Sequence, residues 1–193
     1  MAVPPLVFVR HGETDWNVAG RLQGQTDIPL NARGRDQADA VGRALAAVPG
    51  LSQMRFLSSP LLRARETMRR LRAALGLDPE DHAIDGRLAE MSFGRWEGST
   101  FADIRAREPR EMKARDAARW SHRPPGGESY EDLSARVGAV LGELDGPTVL
   151  VSHGGVARAV LASFGGADRD RLPELHIRQG RALIIEDGAW RWG

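Results

Sequence analysis

Two stretches of the sequence place a histidine directly after a run of apolar residues. Residues 6–9 (LVFV) lead into Arg10 and His11, and residues 149–152 (VLVS) lead into His153. Branched and aromatic apolar residues in a row are typical of a strand that is buried on both faces. Ligands of an open α/β sheet bind where such strands emerge. Two strands that deliver histidines to one edge of a sheet therefore predict a phosphate site.

The chemistry that these residue types suit is phosphoryl transfer. Its transition state spreads negative charge over three equatorial oxygens, so several donors must converge on one phosphorus atom. Arg10 and Arg63 are the candidate guanidinium donors, and His153 adds a third contact. His11 is the candidate nucleophile, because a neutral imidazole attacks through one nitrogen while an acceptor holds the other N–H. Nearby arginines should enlarge the neutral fraction of a histidine whose reference pKa is about 6.5.

The composition is that of a single globular domain. The 193 residues are 41% hydrophobic and 27% charged, and the formal net charge of +1 gives no sign of a nucleic-acid footprint. The absence of cysteine excludes disulfides, thiolate catalysis and cysteine-ligated metal. Residues 1–5 lack the basic start of a signal peptide, and no stretch approaches the roughly 20 apolar residues of a membrane span. We predict one domain over residues 1–193 that is cytoplasmic and binds neither nucleic acid nor membrane.

Strand and helix patterns alternate along the chain. Strands are predicted over 6–10, 55–59, 148–152 and 182–186, an extended segment over 84–93, and helices over 32–47, 61–75, 129–144 and 155–164. This alternation predicts an α/β fold, a three-layer αβα sandwich with a mostly parallel sheet. The tail 189–192 is expected to pair as an antiparallel edge strand after a turn at Asp187 and Gly188. The charged segment 94–127, with two short helical patterns, favours a helical insertion that covers the C-terminal rim of the sheet as a lid.

Six blocks of the sequence occur in the order of one family's motifs. They are residues 10–17 (RHGETDWN), 21–30 (RLQGQTDIPL), 58–67 (SSPLLRARET), 90–98 (EMSFGRWEG), 126–129 (GGES) and 151–155 (VSHGG). With them the chain resembles the histidine phosphatase superfamily, the phosphoglycerate-mutase-like enzymes, over essentially its whole length. One short motif arises by chance, but an ordered set on the expected elements does not.

The resemblance implies roles for the residues that carry it. It assigns Arg10, Arg63 and His153 to the phosphate pocket, with His153 as a transition-state donor, and it implies a phosphohistidine intermediate at His11. Without the resemblance, Arg63 would be one structural arginine among several on its helix. Asn17, Gln23 and Gly24 are similar to substrate-side contacts, and a glycine at position 24 would let backbone amides approach an anion.

A general acid must protonate the leaving alkoxide and then activate water against the phosphoenzyme. Glu90 is the candidate, because the family places its acid in a Glu-x-x-x-Gly-x-x-Glu-Gly block. Glu97 and Glu13 are competitors, and we expect Glu97 to hold the loop through backbone amides. No metal or other cofactor is predicted. His82, His122 and His176 match no family position, lack ligand spacing with the catalytic pair and are interpreted as surface histidines.

Two reactions of the family share such a pocket, hydrolysis and mutase transfer. The cofactor-dependent mutases are longer and carry a lysine after the acid block that clamps the substrate carboxylate; residues 99–104 contain none, and Arg105 is the candidate substitute. Residues 125–129 are also similar to the small broad-specificity and α-ribazole phosphatases. The prediction is a phosphomonoester hydrolase that acts on a small phosphorylated metabolite. The alternatives are a phosphoglycerate mutase and a non-catalytic phosphate-binding module, which would predict loss of the nucleophile or acid.

Two further features bear on the substrate and on assembly. The family often has an asparagine before the last strand, where this chain has Gln179, so contacts with the leaving group are expected to differ there. Trp120, Trp190 and Trp192 suit either a homodimer interface or core packing.

Overall fold

A computed structural model describes residues 4–164, 168–186 and 188–193. The strands of this part of the chain are β1 (Leu6–Arg10), β2 (Arg55–Ser58), β3 (Ala83–Ile84), β4 (Thr148–Ser152), β5 (Ala182–Glu186) and β6 (Ala189–Trp192). The helices are α1 (Asp15–Val18), α2 (Ala32–Leu45), α3 (Leu62–Ala74), α4 (Phe101–Arg107), α5 (Pro109–Ala117), α6 (Tyr130–Gly142) and α7 (Gly154–Ser163). No helix among the described residues combines the length and the apolar character needed to cross a membrane.

The strands form one sheet in the order β3-β2-β4-β1-β5-β6. Strands β3, β2, β4 and β1 are parallel, β5 pairs antiparallel with β1, and β6 pairs antiparallel with β5. The predicted fold class is confirmed, and the tail pairs as predicted. The chain direction already reverses at β5, one strand inside the edge. Asp187 of the predicted turn lies outside the described residues, and Gly188 has the left-handed φ of +76°.

Helices cover both faces of the sheet because successive side chains of a strand point to opposite sides. Val7 and Val9 of β1 pack in a core with α2 and α3, whereas Leu6 and Phe8 of the same strand pack in a second core with α6 and α7. The helices of each pair also contact each other. All four of these β1 side chains are buried, so the strand that leads to His11 is anchored on both sides.

Local signals set the helix ends. The Asn31 side chain accepts from the Gly34 N–H at 2.8 Å at the start of α2, and Ser129 forms a capping box with Asp132 at the start of α6. Gly76, with a φ of +73°, follows α3. The four predicted helices are confirmed, with bounds that differ by one or two residues.

The prediction of an extended segment over 84–93 is wrong beyond its first residue. Strand β3 ends at Ile84, after which the Asp85 N–H makes a last sheet-like bond to the Ser58 carbonyl at 3.1 Å. The Asp85 carboxylate then accepts from the Arg87 N–H at 2.8 Å and turns the chain into a 3-10 turn over Gly86–Leu88. Residues 89–93 are irregular, so the acid block lies on a loop.

The segment 94–127 contains the two predicted short helices, α4 and α5, around a small core of its own. Trp96, Ile104 and Met112 form this core and are buried. The segment is attached to the neighbouring loop by backbone hydrogen bonds, from the Leu22 N–H to Ser99 at 2.9 Å and from the Gly98 N–H to Leu22 at 2.8 Å. It therefore packs on the loop that carries Gln23 and Gly24.

Candidate active site

His11 and His153 lie side by side at the ends of adjacent strands. Strands β1 and β4 are parallel and pair Arg10 with Ser152, so the residues that follow them emerge at one level. The His11 N–H continues the ladder by donating to the Ser152 carbonyl at 2.9 Å. The ring centroids are 5.2 Å apart and the rings are tilted by 59°. Both side chains are buried, so the structure brings the two predicted histidines together.

The His11 ring has a defined tautomer. Its Nδ1 lies 2.7 Å from the carbonyl oxygen of Gly12. Because a carbonyl only accepts, Nδ1 carries the proton and the neutral ring keeps a lone pair on Nε2. Burial first, and then the charges of Arg63 and Arg10, hold the pKa of His11 well below its usual value. The ring is therefore neutral at physiological pH.

His153 is held by Ser59, a residue that follows β2. The His153 Nε2 atom lies 2.7 Å from the Ser59 hydroxyl, and its Nδ1 is buried with no hydrogen-bond partner among the described residues. The Ser59 hydroxyl also accepts from the Leu61 N–H at 3.3 Å. Burial first, and then the charge of Arg63 and the neighbouring His11, hold the pKa of His153 well below its usual value.

Arg63, which is buried, and Arg10, which is partly buried, are the cations beside these rings. Arg10 donates from Nη1 to the Ile177 carbonyl at 2.8 Å. Arg63 donates from Nη1 to Thr26 and from Nη2 to Gly24, at 2.8 and 2.7 Å. The Nε of each arginine is buried without a partner in the described part of the chain. Burial lowers the pKa of Arg10 to about 10 and also lowers that of Arg63, so Arg10 stays charged at neutral pH.

Glu90 is the carboxylate that acts on both arginines: it raises the pKa of Arg10 and of Arg63, against the effect of burial. Its Oε1 accepts from the Met91 N–H at 2.8 Å, and its Oε2 accepts from the Gly155 N–H at 3.1 Å. Gly155 lies in the first turn of α7, directly behind His153. The carboxylate is therefore tied to the strand end that carries the second histidine.

The competing carboxylates are engaged elsewhere. Glu97 accepts from the backbone N–H groups of Gln25 and Phe93 on Oε1, both at 3.1 Å, and from the N–H and hydroxyl of Thr26 on Oε2, at 3.1 and 2.6 Å. Glu13 accepts from the Asn31 side chain at 3.1 Å. Glu97 thus holds two loops together through backbone amides, the geometry that the sequence led us to expect.

The predicted substrate-side residues lie around the same edge of the sheet. Gln179 donates from Nε2 to the His11 carbonyl at 3.2 Å and to Asn17 Oδ1 at 3.0 Å. The side chain of Gln23 is buried, and its Oε1 has no partner among the described residues. Gly24 has a φ of +49°, and a Cβ there would lie 2.1 Å from Glu97 Oε1. The loop therefore requires a glycine at position 24, whose carbonyl engages Arg63.

Sequence reasoning missed Ser59 and Thr67, which orient this site, and it expected Gln179 to change the contacts with the leaving group but not to hold the backbone of His11. Ser59 holds His153, Gln179 holds the His11 backbone, and the Thr67 hydroxyl accepts from the Gly12 N–H at 3.1 Å. Ser59 and Thr67 stand in the matching block 58–67, which was the available signal. Their partners are remote in sequence, so residue type alone did not single them out.

A cavity of about 220 Å³ adjoins the site. Arg158, which lines this cavity, lies near Arg10. A Cβ built on Gly154 would lie 3.5 Å from Arg158 Nη1 and 3.6 Å from Arg10 Nε. The charge of Arg158 also lowers the pKa of Arg10. Arg158 donates to the Tyr130 hydroxyl at 3.3 Å. The lining residues are Leu22, Met91, Phe93, Phe101, Arg115, Arg119, His122, Pro124, Tyr130, Arg158 and Pro173.

His122 corrects one interpretation of the sequence. It stacks on Trp96 at 5.6 Å between ring centroids, and only 10% of its side chain is exposed. His122 therefore lines the cavity and is not a surface histidine. Of the other two, His176 is exposed and His82 is half-buried. Among the described residues, no group of three or more His, Cys, Asp and Glu side chains could hold a metal ion.

A mostly parallel α/β sheet with two buried histidines at adjacent strand ends, and with Arg10 and Arg63 beside them, defines a phosphoryl-transfer class of enzyme. The chain belongs to the histidine phosphatase superfamily (branch 1), whose family model matches residues 6–192. The predicted family is thus confirmed.

Named relatives distinguish the branches of this superfamily. Glucosyl-3-phosphoglycerate phosphatase of Mycolicibacterium vanbaalenii is 38% identical over 91% of this chain and 80% of its own. A solved mycobacterial structure of that phosphatase has a TM-score of 0.80 at 33% identity, covering 98% and 96% of the two chains. A 2,3-bisphosphoglycerate-dependent phosphoglycerate mutase of Gloeobacter violaceus is 32% identical over 95% of this chain and 86% of its own. These relatives support a phosphoric monoester hydrolase, as predicted, better than a mutase.

Proposed function

We propose that the protein hydrolyses a phosphomonoester through a phosphohistidine at His11. One observation carries this proposal: the Gly12 carbonyl holds the proton of His11 on Nδ1 and leaves Nε2 as a lone-pair nucleophile. The buried Nε atoms of Arg10 and Arg63, which have no partner among the residues that the structure describes, are fixed donors for the phosphoryl oxygens. Removing one preorganised donor of this kind typically costs roughly 10²–10³ in rate.

His153 supplies a third donor. The Ser59 hydroxyl, which accepts from the Leu61 N–H, donates its own proton to His153 Nε2. The neutral ring then carries its proton on Nδ1, the buried atom that has no partner in the described residues. This N–H stabilises the charge that develops on the phosphoryl group.

The reaction proceeds in two balanced steps. The His11 Nε2 attacks phosphorus while the bond to the leaving oxygen breaks, and Glu90 gives its proton to that oxygen. The alcohol leaves and the phosphoryl group stays on Nε2. The ionised Glu90 then takes a proton from water, whose oxygen attacks phosphorus. The P–N bond breaks, which restores neutral His11 and protonated Glu90 and releases phosphate.

The substrate that fits best is a phosphomonoester similar to glucosyl-3-phosphoglycerate, the compound for which the phosphatase relatives are named. Such a molecule carries a carboxylate and sugar hydroxyls next to its phosphate. The cavity beside Arg10 offers Arg115, Arg158 and Tyr130 for these groups, under the insertion 94–127 as a lid. The cytoplasmic location and the homodimer stay predictions from the sequence.

The test of the reaction is His11→Ala, with exposed His176→Ala as the matched control. We expect the wild-type protein and the control to hydrolyse para-nitrophenyl phosphate and to form an acid-labile, base-stable phosphoenzyme. His11→Ala should show neither, with an unchanged melting temperature. Unchanged turnover in His11→Ala would refute the nucleophile.

The test of the substrate compares kcat/KM for glucosyl-3-phosphoglycerate, 3-phosphoglycerate and glycerol 3-phosphate, the last without a carboxylate. We expect a higher kcat/KM for the two substrates that carry a carboxylate than for glycerol 3-phosphate. Arg158→Gln should remove this difference while turnover of para-nitrophenyl phosphate persists. A mutase would instead convert 3-phosphoglycerate to its 2-isomer when primed with 2,3-bisphosphoglycerate. Absence of any carboxylate preference would contradict the substrate proposal but not the phosphatase reaction.

A further inference from the structure

Arg136 of α6 binds the backbone of the loop that carries Glu90. Its Nη1 donates to the carbonyls of Arg87 and Ala89 at 2.5 and 2.7 Å, and its Nη2 donates to the Glu90 carbonyl at 3.0 Å. Its side chain is 19% exposed, so these bonds are largely shielded from water. One guanidinium thus binds three carbonyls of the backbone segment that leads to Glu90 and includes it.

Glu128 completes the arrangement from the other side. It forms a two-point pair with Arg136, at 2.9 Å to Nε and 2.8 Å to Nη2. Its Oε2 also accepts from the Ser92 N–H at 2.9 Å, and its own N–H donates to the Ser92 carbonyl at 2.9 Å. Burial raises the Glu128 pKa, but the bonds from Arg136 and Ser92 outweigh this effect and bring it below its usual value.

The loop needs such a partner because residues 89–93 form no helix or strand. Buried carbonyls without a partner are costly, and a guanidinium fork satisfies several of them in a fixed geometry. The Met91 N–H, which donates to Glu90 Oε1, lies between the segment bound by Arg136 and the Ser92 amide bound by Glu128. A shift of this segment would move the Glu90 carboxylate with it.

We infer that Arg136 and Glu128 are positioning residues that fix the Glu90 carboxylate for proton transfer to the leaving group. The inference rests on the proposed role of Glu90 as general acid. Among the described residues, neither side chain hydrogen-bonds to His11, Arg10 or Arg63, so their hydrogen bonds reach the site through the Glu90 loop. The charge of Arg136 also lowers the pKa of His153, and a lysine at position 136 keeps that charge.

The experiment measures Arg136→Lys and Glu128→Gln on two substrates. Para-nitrophenolate leaves without a proton, whereas the alkoxide of glycerol 3-phosphate needs one. A misplacement of about 1 Å can cost roughly 10²-fold, so we expect kcat/KM for glycerol 3-phosphate to fall on that order. The ratio kcat/KM reports the transfer to His11 alone, because hydrolysis of the phosphoenzyme, in which Glu90 serves both substrates alike, follows release of the alcohol. The kcat/KM for para-nitrophenyl phosphate should fall much less. An equal loss on both substrates, or no loss, would overturn the inference.

Arg123→Lys is the matched control. Arg123 also pairs with an acidic residue of α6, at 2.6 Å to Asp132, but its side chain is 62% exposed. We expect this variant to keep wild-type turnover of both substrates.

Glu90→Gln separates the inference from the proposed function. If Glu90→Gln lowers kcat/KM equally for both substrates, the assignment of Glu90 as the general acid fails. If Glu90→Gln selectively loses activity on glycerol 3-phosphate and Arg136→Lys does not, only the positioning role of Arg136 fails. In the double variant, Arg136→Lys should add little to the selective loss already caused by Glu90→Gln, whereas independent additive losses would overturn the inference. Glu128→Gln keeps the test open if Arg136→Lys fails to fold.

Discussion

The backbone N–H of Gly155 donates to Oε2 of Glu90 at 3.1 Å, in the first turn of the helix that follows His153. This hydrogen bond ties the Glu90 carboxylate to the start of α7. The same contact leaves no room for a side chain: a Cβ at position 155 would lie 2.3 Å from Glu90 Oε1. The position of the proposed acid thus depends on a glycine in a different element.

We expect Gly155→Ala to displace the Glu90 carboxylate. The rate on alkyl phosphates should fall roughly 10²-fold because a misplaced acid transfers its proton poorly. Gly138→Ala in α6 is the matched control, since a Cβ there has nothing within 4 Å. It should leave kcat unchanged and raise the free energy of unfolding by about 0.5–1 kcal/mol. Equal activity of the two variants would contradict the prediction.

Glu90→Gln and Glu97→Gln should have different consequences. For Glu90→Gln we expect kcat/KM for an alkyl phosphate to fall roughly 10²–10⁴-fold, with a smaller effect on kcat/KM for para-nitrophenyl phosphate. Glu97→Gln should instead lower the melting temperature, because its carboxylate bonds to backbone amides of two loops. Steady-state kinetics and thermal unfolding of both variants provide the check. A selective loss on alkyl phosphates in Glu97→Gln would exchange the two roles.

The two buried histidines should make stability depend on pH. Their folded pKa values lie well below 6.5, so the unfolded chain binds more protons as the pH falls below that value. The free energy of unfolding should therefore fall on acidification from pH 7 to 5.5, by up to about 1.4 kcal/mol per pH unit for each histidine. Urea unfolding at several pH values measures this free energy, which should depend less steeply on pH in the double variant His11→Gln, His153→Gln. An unchanged slope would mean that the rings are not buried in neutral form.

Arg63→Lys should lower kcat/KM for para-nitrophenyl phosphate by roughly 10²–10³-fold. A lysine cannot bond to the carbonyls of Thr26 and Gly24 and still offer a donor in the position of Nε. Arg69→Lys, on the same helix and in a partly exposed pair with Glu80 at 2.8 Å, is the control. Exposed pairs of this kind contribute at most about 1 kcal/mol, and turnover should persist. Similar losses in both variants would argue for a general requirement for arginine on α3.

Much of the fold could be predicted from local patterns. The runs 6–10 and 148–152 are strands with the predicted bounds, and the helices after Asn31 and Ser129 begin where capping residues stand. Such features depend on neighbours in the chain. The loop that carries Glu90 was mispredicted. The pattern of residues 84–93 favoured an extended segment, but the Asp85 side chain accepts from the Arg87 N–H and turns the chain directly after Ile84.

Local patterns are enough to predict which elements form and that a histidine follows each of two buried strands, because alternation, capping and β-propensity act over a few residues. The pairing of β1 with β4, which places the His11 and His153 rings 5.2 Å apart, depends on contacts between remote segments. The same holds for the contacts of Arg136 and Glu128 with the Glu90 loop and for the position of His122 beside a cavity. Strand order, burial and the partners of a charged side chain are set by packing between remote segments, and no local pattern encodes them.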